Sequence, residues 1–380
     1  MKIIIVGPAY PYRGGIAAFT DRLANEFISE DVDVELYTFT LQYPSILFPG
    51  KTQYSDAPAP NNVKIFRRIS SVNPFTWIKA AKEIKSKNPD IVIFSYWMSF
   101  FVPCYVKMAK IISKNNNTRC IGLVHNMMPH EKSIIDRLLS PRFVKRMDAF
   151  VALSQSVLND ISALDKNSKP KLFSPHPLYD HYGDKEDKVM AMNSLYLDNN
   201  YNYILFFGLI REYKGLDLLL KAMADERIDN YPLKLIVAGE FYDKKEPYLQ
   251  MIDTLNIKDK VIICDKYIPD DEVKNFFNLA DMVVQPYKSA TQSGVTQVAY
   301  HFEKPMLVTD VGALREIVPN GKVGYVVEPE PVKIADAICD FYDNEREEFF
   351  ESNIIEEKKK YEWSKMTETI MNLYEEIKES

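Results

Sequence analysis

The chain has 380 residues, 46% of them hydrophobic and 26% charged, with a formal net charge of −6. That length and apolar content fit two α/β domains of similar size and exclude a disordered chain. No apolar stretch approaches the roughly 20 residues needed to cross a bilayer, and the opening MKIIIVGPAYPY reads as strand and loop rather than signal peptide, so a cytoplasmic location is expected.

Strand-type apolar runs alternate with helix-type periodic segments, the pattern of parallel sheets with crossover helices. In the first half the expected strands are 2–6, 32–38, 91–94, 120–124 and 149–153, with helices at 16–28, 76–87, 103–114 and 156–163. Residues 41–62, rich in Pro, Tyr, Ser and Asn, read as a long irregular insertion. The segment FSPHPLYDHYGDKEDK, from Phe173 to Lys188, breaks the alternation and is read as an interdomain linker.

The alternation then restarts. Strands are expected at 203–207, 233–238, 261–264, 282–285, 305–309 and 323–327, and helices at 215–223, 246–255, 270–279, 295–301 and 331–342. An amphipathic helix carrying Trp363, Met366, Ile370 and Tyr374 closes the chain. The expected domains are 1–180 and 181–360, followed by a terminal segment 361–380. Two Rossmann-like units in succession make a cleft between their facing sheets the expected active site.

The four cysteines, Cys104, Cys120, Cys264 and Cys339, lie far apart in apolar runs and are expected as buried free thiols. Charge is unevenly spread. From Val63 to Arg146 there are sixteen Lys and Arg against four Asp and Glu, a net of +12 that leaves −18 for the remainder. With Phe75, Trp77, Trp97, Phe100, Phe101 and Phe143 interleaved, this stretch could face anionic lipid or a lipid-phosphate acceptor, giving peripheral contact with the inner membrane; solvated helix faces over an ordinary core are the alternative. Nucleic acid is not expected, since no binding motif accompanies the charge.

Three segments carry chemistry. In FFGLIREYKGLDLLLKA a strand ends at Gly208, then Arg211 and Lys214 follow before a helix opens at Gly215. Both cations thus project from the carboxyl end of a strand, where open α/β sheets bind ligands, and a guanidinium fork with an ammonium suits a diphosphate. In QPYKSATQSGVTQV, small polar residues lead into a helix near Ser293, whose free N–H groups form an anion site that Gly294 lets a ligand approach. A plain Ser N-cap is the other reading. In GPAYPYRGGIAAFT, Gly14 and Gly15 precede a helix without the spaced three-glycine dinucleotide fingerprint, which argues against a dehydrogenase.

FGLIREYKG, the region around TQSGV, EKPMLVTDVGALREIV, the Gly14-Gly15 loop, LVHNMMPHE and the closing YEWSKMTETIMNLYEEI resemble the group 1 (family 4) glycosyltransferases with the GT-B fold. The resemblance spans nearly the whole chain. It implies transfer of a sugar, with retention and without a metal or other cofactor, from a UDP- or GDP-type nucleotide sugar to a glycan or lipid-linked saccharide in cell-surface polysaccharide synthesis. Lys214 and Arg211 would hold the donor diphosphate, and the backbone of Gln292, Ser293, Gly294 and Val295 its phosphate and sugar. Gly15 would lie beneath the donor, and His125 would be the active-site histidine near the sugar.

This sequence departs from the family pattern in two places. Leu209, not arginine, follows the glycine, and Arg211 comes two residues later. The family's glutamate pair, eight positions apart, falls on Ala290 and Val298 when the register is set at Lys304-Pro305. Gln292 could substitute for one of these by hydrogen bonding sugar hydroxyls without charge. A catalytically silent nucleotide-sugar-binding subunit of a glycan assembly complex is the alternative function. Of the other histidines, His130 beside Glu131 is a candidate for shaping the acceptor site or capping a helix; His176 and His181 fall in the linker, and His301 is expected to pack. Asp31 and Asp33 are expected in an exposed turn.

Overall fold

A computed structural model describes residues 1–44, 53–55, 59–115, 117–127, 134–290 and 293–379. The chain forms two compact units, Met1–His176 with Trp363–Ser380, and Pro177–Glu362. The divisions therefore fall at 176/177 and 362/363, against the expected 180/181 and 360/361.

Unit 1 runs β1 (Lys2–Val6), α1 (Gly15–Ser29), β2 (Asp33–Leu41), β3 (Lys64–Ser70), α2 (Pro74–Ser86), β4 (Ile91–Tyr96), α3 (Val102–Ile112), β5 (Arg119–Val124), α4 (Ile134–Arg146), β6 (Ala149–Ala152), α5 (Gln155–Leu164) and β7 (Lys171–Phe173). Among the described residues its sheet has seven strands, all parallel, in the order β3-β2-β1-β4-β5-β6-β7. The central strand IVIFSY is buried at every position, as a parallel strand covered by helices on both faces must be. Asn73 accepts the Phe75 N–H and Pro74 opens α2, while Ser154 accepts the Val157 N–H at α5, so local chemistry sets both helix starts.

Sequence patterning missed β3, β7 and α4. KIFRRIS forms the sheet edge with its cations exposed, a charged edge that blunts further strand pairing and also hides the apolar signal of a strand. Helix α4 carries Pro141 in its interior and a largely polar surface, which masked its period.

Unit 2 runs α6 (Lys188–Ser194), β8 (Asn202–Phe207), α7 (Leu216–Met223), β9 (Leu233–Ala238), α8 (Glu246–Thr254), β10 (Val261–Cys264), α9 (Asp270–Leu279), β11 (Met282–Gln285), α10 (Gly294–His301), β12 (Met306–Thr309), α11 (Leu314–Ile317), β13 (Gly324–Val327), α12 (Pro331–Asp343) and α13 (Glu347–Glu357). Its described sheet has six parallel strands, β10-β9-β8-β11-β12-β13. The strand order reverses between β8 and β11, as it does between β1 and β4 in unit 1. In open parallel sheets such a switch point leaves a crevice at the strands' carboxyl ends, where ligands bind.

Helix α14 (Trp363–Ile377) returns to unit 1 and packs Trp363, Met366, Ile370, Leu373 and Ile377 into the core formed by β1, β5 and α1. Each such buried side chain contributes roughly 1.5–3 kcal/mol. Arg119 Nε donates to the Ile377 carbonyl at 2.7 Å and Nη2 to that of Lys378 at 2.8 Å, placing a cation on the negative end of the helix.

The four cysteines carry free thiols; three are buried and Cys264 is half-buried. Among the described residues no helix is long and apolar enough to cross a membrane.

Candidate active site

Two loops meet at the unit 2 switch point. The β8–α7 loop holds Gly208 to Gly215, and the β11–α10 loop begins at Pro286. They are joined by the Lys288 N–H donating to the Tyr213 carbonyl at 2.7 Å, and by a Lys288–Asp217 ion pair at 2.8 Å. Gly215 sits at φ +69°, and a Cβ there would lie 1.9 Å from the Pro286 carbonyl oxygen, so only glycine permits the approach. A short 3₁₀ turn, Glu212–Lys214, precedes α7, which therefore starts at Leu216 rather than at Gly215.

This geometry folds Lys214 inward. The residue is 9% exposed, and its ammonium lies 3.1 Å from where a Gly208 Cβ would stand. The same Cβ position is 3.9 Å from Val295 Cγ2, so the lysine and the start of α10 flank one point. Lys214 makes no hydrogen bond or ion pair with any described residue. Burial, reinforced by the Arg211 charge, pushes its pKa down to about 8. Lys304, the other buried lysine among the described residues, pairs with Glu351 at 3.2 Å.

Arg211 owes its place to the two residues that separate it from Gly208. Ile210 bridges Phe241, exchanging hydrogen bonds with Glu240 and Tyr242, and this carries the Arg211 guanidinium to 3.9 Å from the Tyr242 ring centroid. Its Nε is buried without a partner. An open cavity of about 380 Å³ lies here, lined by Arg211, Glu212, Tyr213, Tyr242, Asp243 and Lys288.

The start of α10 is not a plain serine cap. Ser293 occupies the N-cap position, but its Oγ is hydrogen-bonded to Tyr287 Oη at 3.1 Å and makes no cap hydrogen bond to the helix. Gly294 is exposed, and the N–H groups of a helix's first turn have no partner within the helix. Gln292 lies outside the described residues. Val298, one of the two positions where the resemblance puts a glutamate, is buried in the core.

In unit 1 the expected residues follow β1 and β5 on the carboxyl side of the strands. Gly14 precedes α1 at φ +113°, with open space where a Cβ would be, and Gly15 begins the helix. His125 follows β5. Its Nε2 is hydrogen-bonded to Ser95 Oγ at 3.0 Å, and Phe19 presents an edge to both His125 and His176. His125 is half-buried overall, yet desolvation and the neighbouring His176 push its pKa down to about 3, so the ring is neutral at ordinary pH. Ser95 was not singled out from sequence; its position at the end of a buried strand at the switch point was the available signal.

Other expectations resolve simply. His301 Nε2 is hydrogen-bonded to the Gly183 carbonyl at 2.6 Å, a packed histidine, and His181 packs against Tyr182 with the rings tilted by 40°. Asp33 starts β2 and pairs with Lys2 at 3.1 Å. His130 and Glu131 lie outside the described residues.

The interleaved aromatics need correction. Phe101 and Phe143 are fully buried, Trp77 nearly so, and Trp97 and Phe100 pack on the same core: Trp77 and Phe143 face inward on α2 and α4, and Trp97, Phe100 and Phe101 lie in the turn that leads from β4 into α3. Phe75 alone of the six is well exposed, at 83%.

Comparison with known proteins agrees with this architecture. The model of the group 1 glycosyl transferases matches residues 190–361, and that of glycosyltransferase family 4 matches residues 13–171. An uncharacterised glycosyltransferase of Methanocaldococcus jannaschii is 26% identical, with 99% of each chain covered. The O-antigen chain mannosyltransferase C of Escherichia coli is 23% identical over 87% of this chain and 85% of its own. Among solved structures, HepE of Anabaena in complex with UDP superposes with a TM-score of 0.71 at 14% identity, covering 98% of this chain and 99% of its own. With both Rossmann-like units matched in order along its length, the chain belongs to the group 1 glycosyltransferases.

Proposed function

We propose that unit 2 binds the diphosphate of a UDP- or GDP-type nucleotide sugar, and that the enzyme transfers the sugar to a saccharide or lipid-linked acceptor in cell-surface polysaccharide synthesis. The observation that carries the donor site is Lys214: a buried, unpaired ammonium beside an uncapped helix start at a switch point. An isolated buried cation costs free energy, and a diphosphate supplies the missing partner. Lys214, Arg211 and the α10 amides are the groups assigned to receive the charge of the departing nucleotide, by electrostatic preorganisation. This assignment gives no role to a metal or another cofactor, and the retaining outcome is proposed with it. The UDP bound by HepE and the O-antigen assembly named for the E. coli relative support the choice of donor and product class.

For His125 the proposed role is a neutral hydrogen-bonding group, since a ring with a pKa near 3 is not an imidazolium at neutral pH and cannot serve as a general acid. The acceptor side is assigned to the α2, α3 and α4 layer. Lys79, Lys82, Lys107, Lys110, Lys114, Arg137, Arg142 and Lys145 are exposed there with no ion pair to any described residue. Phe75, Ile135 and Leu138 stand exposed among them. Cations with a few apolar anchors suit peripheral contact with an anionic membrane surface carrying a lipid-linked acceptor.

Thermal-shift titration with UDP, GDP and their sugars, using UMP and GMP as controls, tests the donor site. At 100 times its dissociation constant a bound diphosphate would stabilise by about 2.7 kcal/mol. Absence of any shift with diphosphates, or equal shifts with monophosphates, would overturn the assignment.

A further inference from the structure

In unit 2 the buried side-chain atoms that lack a hydrogen-bond partner belong to Arg211, Asp217, Gln285, Gln297 and Arg346 among the described residues. Asp217 and Arg346 are held in ion pairs with Lys288 and Asp340. The remaining three lie after β8, at the end of β11 and on α10, around the proposed donor site.

Gln285 is the most demanding of them. It is 1% exposed, and neither its Oε1 nor its Nε2 has a partner. An amide offers two donor hydrogens and two acceptor positions, and leaving them unmet inside a protein is destabilising. Here it ends a strand that otherwise reads MVV, paired in register with Val308. Strand alternation fixes its direction. Val283 shares a core with Val298, Ala299 and Tyr300 of α10, whereas Val284 faces the opposite core, so Gln285 points to the α10 side. Gln297 of α10 is itself buried, with Oε1 unpartnered. One fully orphaned amide and the unpartnered oxygen of a second are thus present on the side of the sheet where the family carboxylates are missing from Ala290 and Val298.

We propose that the Gln285 amide, supported by Gln297, is a specificity-determining contact to hydroxyl groups of the bound nucleotide sugar, a neutral replacement for the absent glutamates. An amide accepts from one hydroxyl and donates to another, and it adds no negative charge near the diphosphate. This inference rests on the donor-site reading above.

The test uses the full chain carrying Gln285→Met, a near-isosteric apolar change, with Gln285→Leu and Gln297→Met as further variants. Melting temperature is read without ligand, and affinity is measured for UDP-glucose, GDP-mannose and inorganic pyrophosphate. Gln285→Met is expected to melt higher than wild type and to bind the preferred nucleotide sugar about three- to tenfold more weakly, the loss of one or two neutral hydrogen bonds. Pyrophosphate, which has no hydroxyl-bearing sugar, should bind as before. Unchanged nucleotide-sugar affinity in folded Gln285→Met or Gln285→Leu protein would overturn the inference while leaving the donor site standing. Equal weakening of pyrophosphate would also overturn it, by showing general damage. If wild type binds none of the three ligands, the donor-site reading falls and this inference with it.

Discussion

The helix layer α2–α4 of unit 1 and the switch point of unit 2 both display cations without acidic partners, and they differ in burial. Eight Lys and Arg of the helix layer stand in solvent, where water and salt meet their charge and each is individually weak. Lys214 is enclosed, with the Tyr287 ring 5.7 Å from its ammonium but no acidic or hydrogen-bonding partner among the described residues. An unpaired exposed cation therefore says little about a ligand until many of them gather, whereas one unpaired buried cation already implies a partner that arrives from outside. Lys304 sharpens the contrast, since it is as buried as Lys214 but paired with Glu351.

The largest effect should come from breaking that contrast at its buried end. Lys214→Met is expected to lower kcat/KM by about 30- to 1,000-fold, the roughly 2–4 kcal/mol attached to a lost preorganised donor, while raising the melting temperature of the ligand-free protein. Lys304→Met should do the opposite, lowering stability by removing the buried partner of Glu351, which keeps the more exposed Lys185 at 3.3 Å, and leaving nucleotide affinity unchanged. Steady-state kinetics and thermal melts of the two variants side by side decide the matter; similar profiles for both would remove the distinction between paired and unpaired buried lysines.

At the exposed end the effect is smaller and depends on salt. Neutralising Lys107 and Lys110 to Gln should weaken binding to anionic vesicles about 30-fold at low ionic strength, from about 1 kcal/mol for each cation near the surface. The difference should shrink as salt rises, because these charges are screened, whereas loss of the Lys214 contact should be much less sensitive to salt. Vesicle sedimentation with anionic and uncharged lipid reads this out, and binding indifferent to lipid charge would break the membrane half of the comparison.

Much of this was legible in sequence because parallel α/β folding writes itself as alternating periods. Every unit 2 strand from β8 to β13 lies within one residue of its expected bounds, since each is a short apolar run between turn residues. The placement of Lys214 and of the start of α10 after strands was legible because position after a strand is a one-dimensional property. Burial and pairing are not. FVPCYVK and PRFVKR look equally basic and aromatic whichever way the rings point, and only the packed helices show Phe101 and Phe143 facing in while Lys107 and Lys145 face out. The Gln285 amide was overlooked for the same reason. A polar residue at a strand end is unremarkable until both its flanking strands and the absence of partners are known. The placement of Arg211 over Tyr242 depended on a bridge between Ile210 and Phe241, residues far apart along the chain.

The smallest effect concerns pH, and its sign separates binding from stability. In the free protein Lys214 has a pKa near 8, below the 10.5 of an ordinary lysine, chiefly through burial and further through Arg211. The protonated form is the one that meets a diphosphate, and binding raises its pKa again. Affinity for a nucleotide sugar, whose diphosphate diester keeps its charge above pH 6, should thus be flat below about pH 7 and weaken about tenfold from pH 7 to pH 9. Stability without ligand runs the other way. Between about pH 8 and 10.5 the unfolded lysine holds its proton and the folded one releases it, so this residue's contribution improves as pH rises through that window. Calorimetric titration and thermal melts of wild type, Lys214→Met and Lys214→Arg would resolve both slopes. Each should vanish in Lys214→Met, and Lys214→Arg, charged throughout, should bind with little pH dependence. A wild-type affinity that is constant from pH 7 to pH 9 would mean that the ammonium does not touch the phosphate.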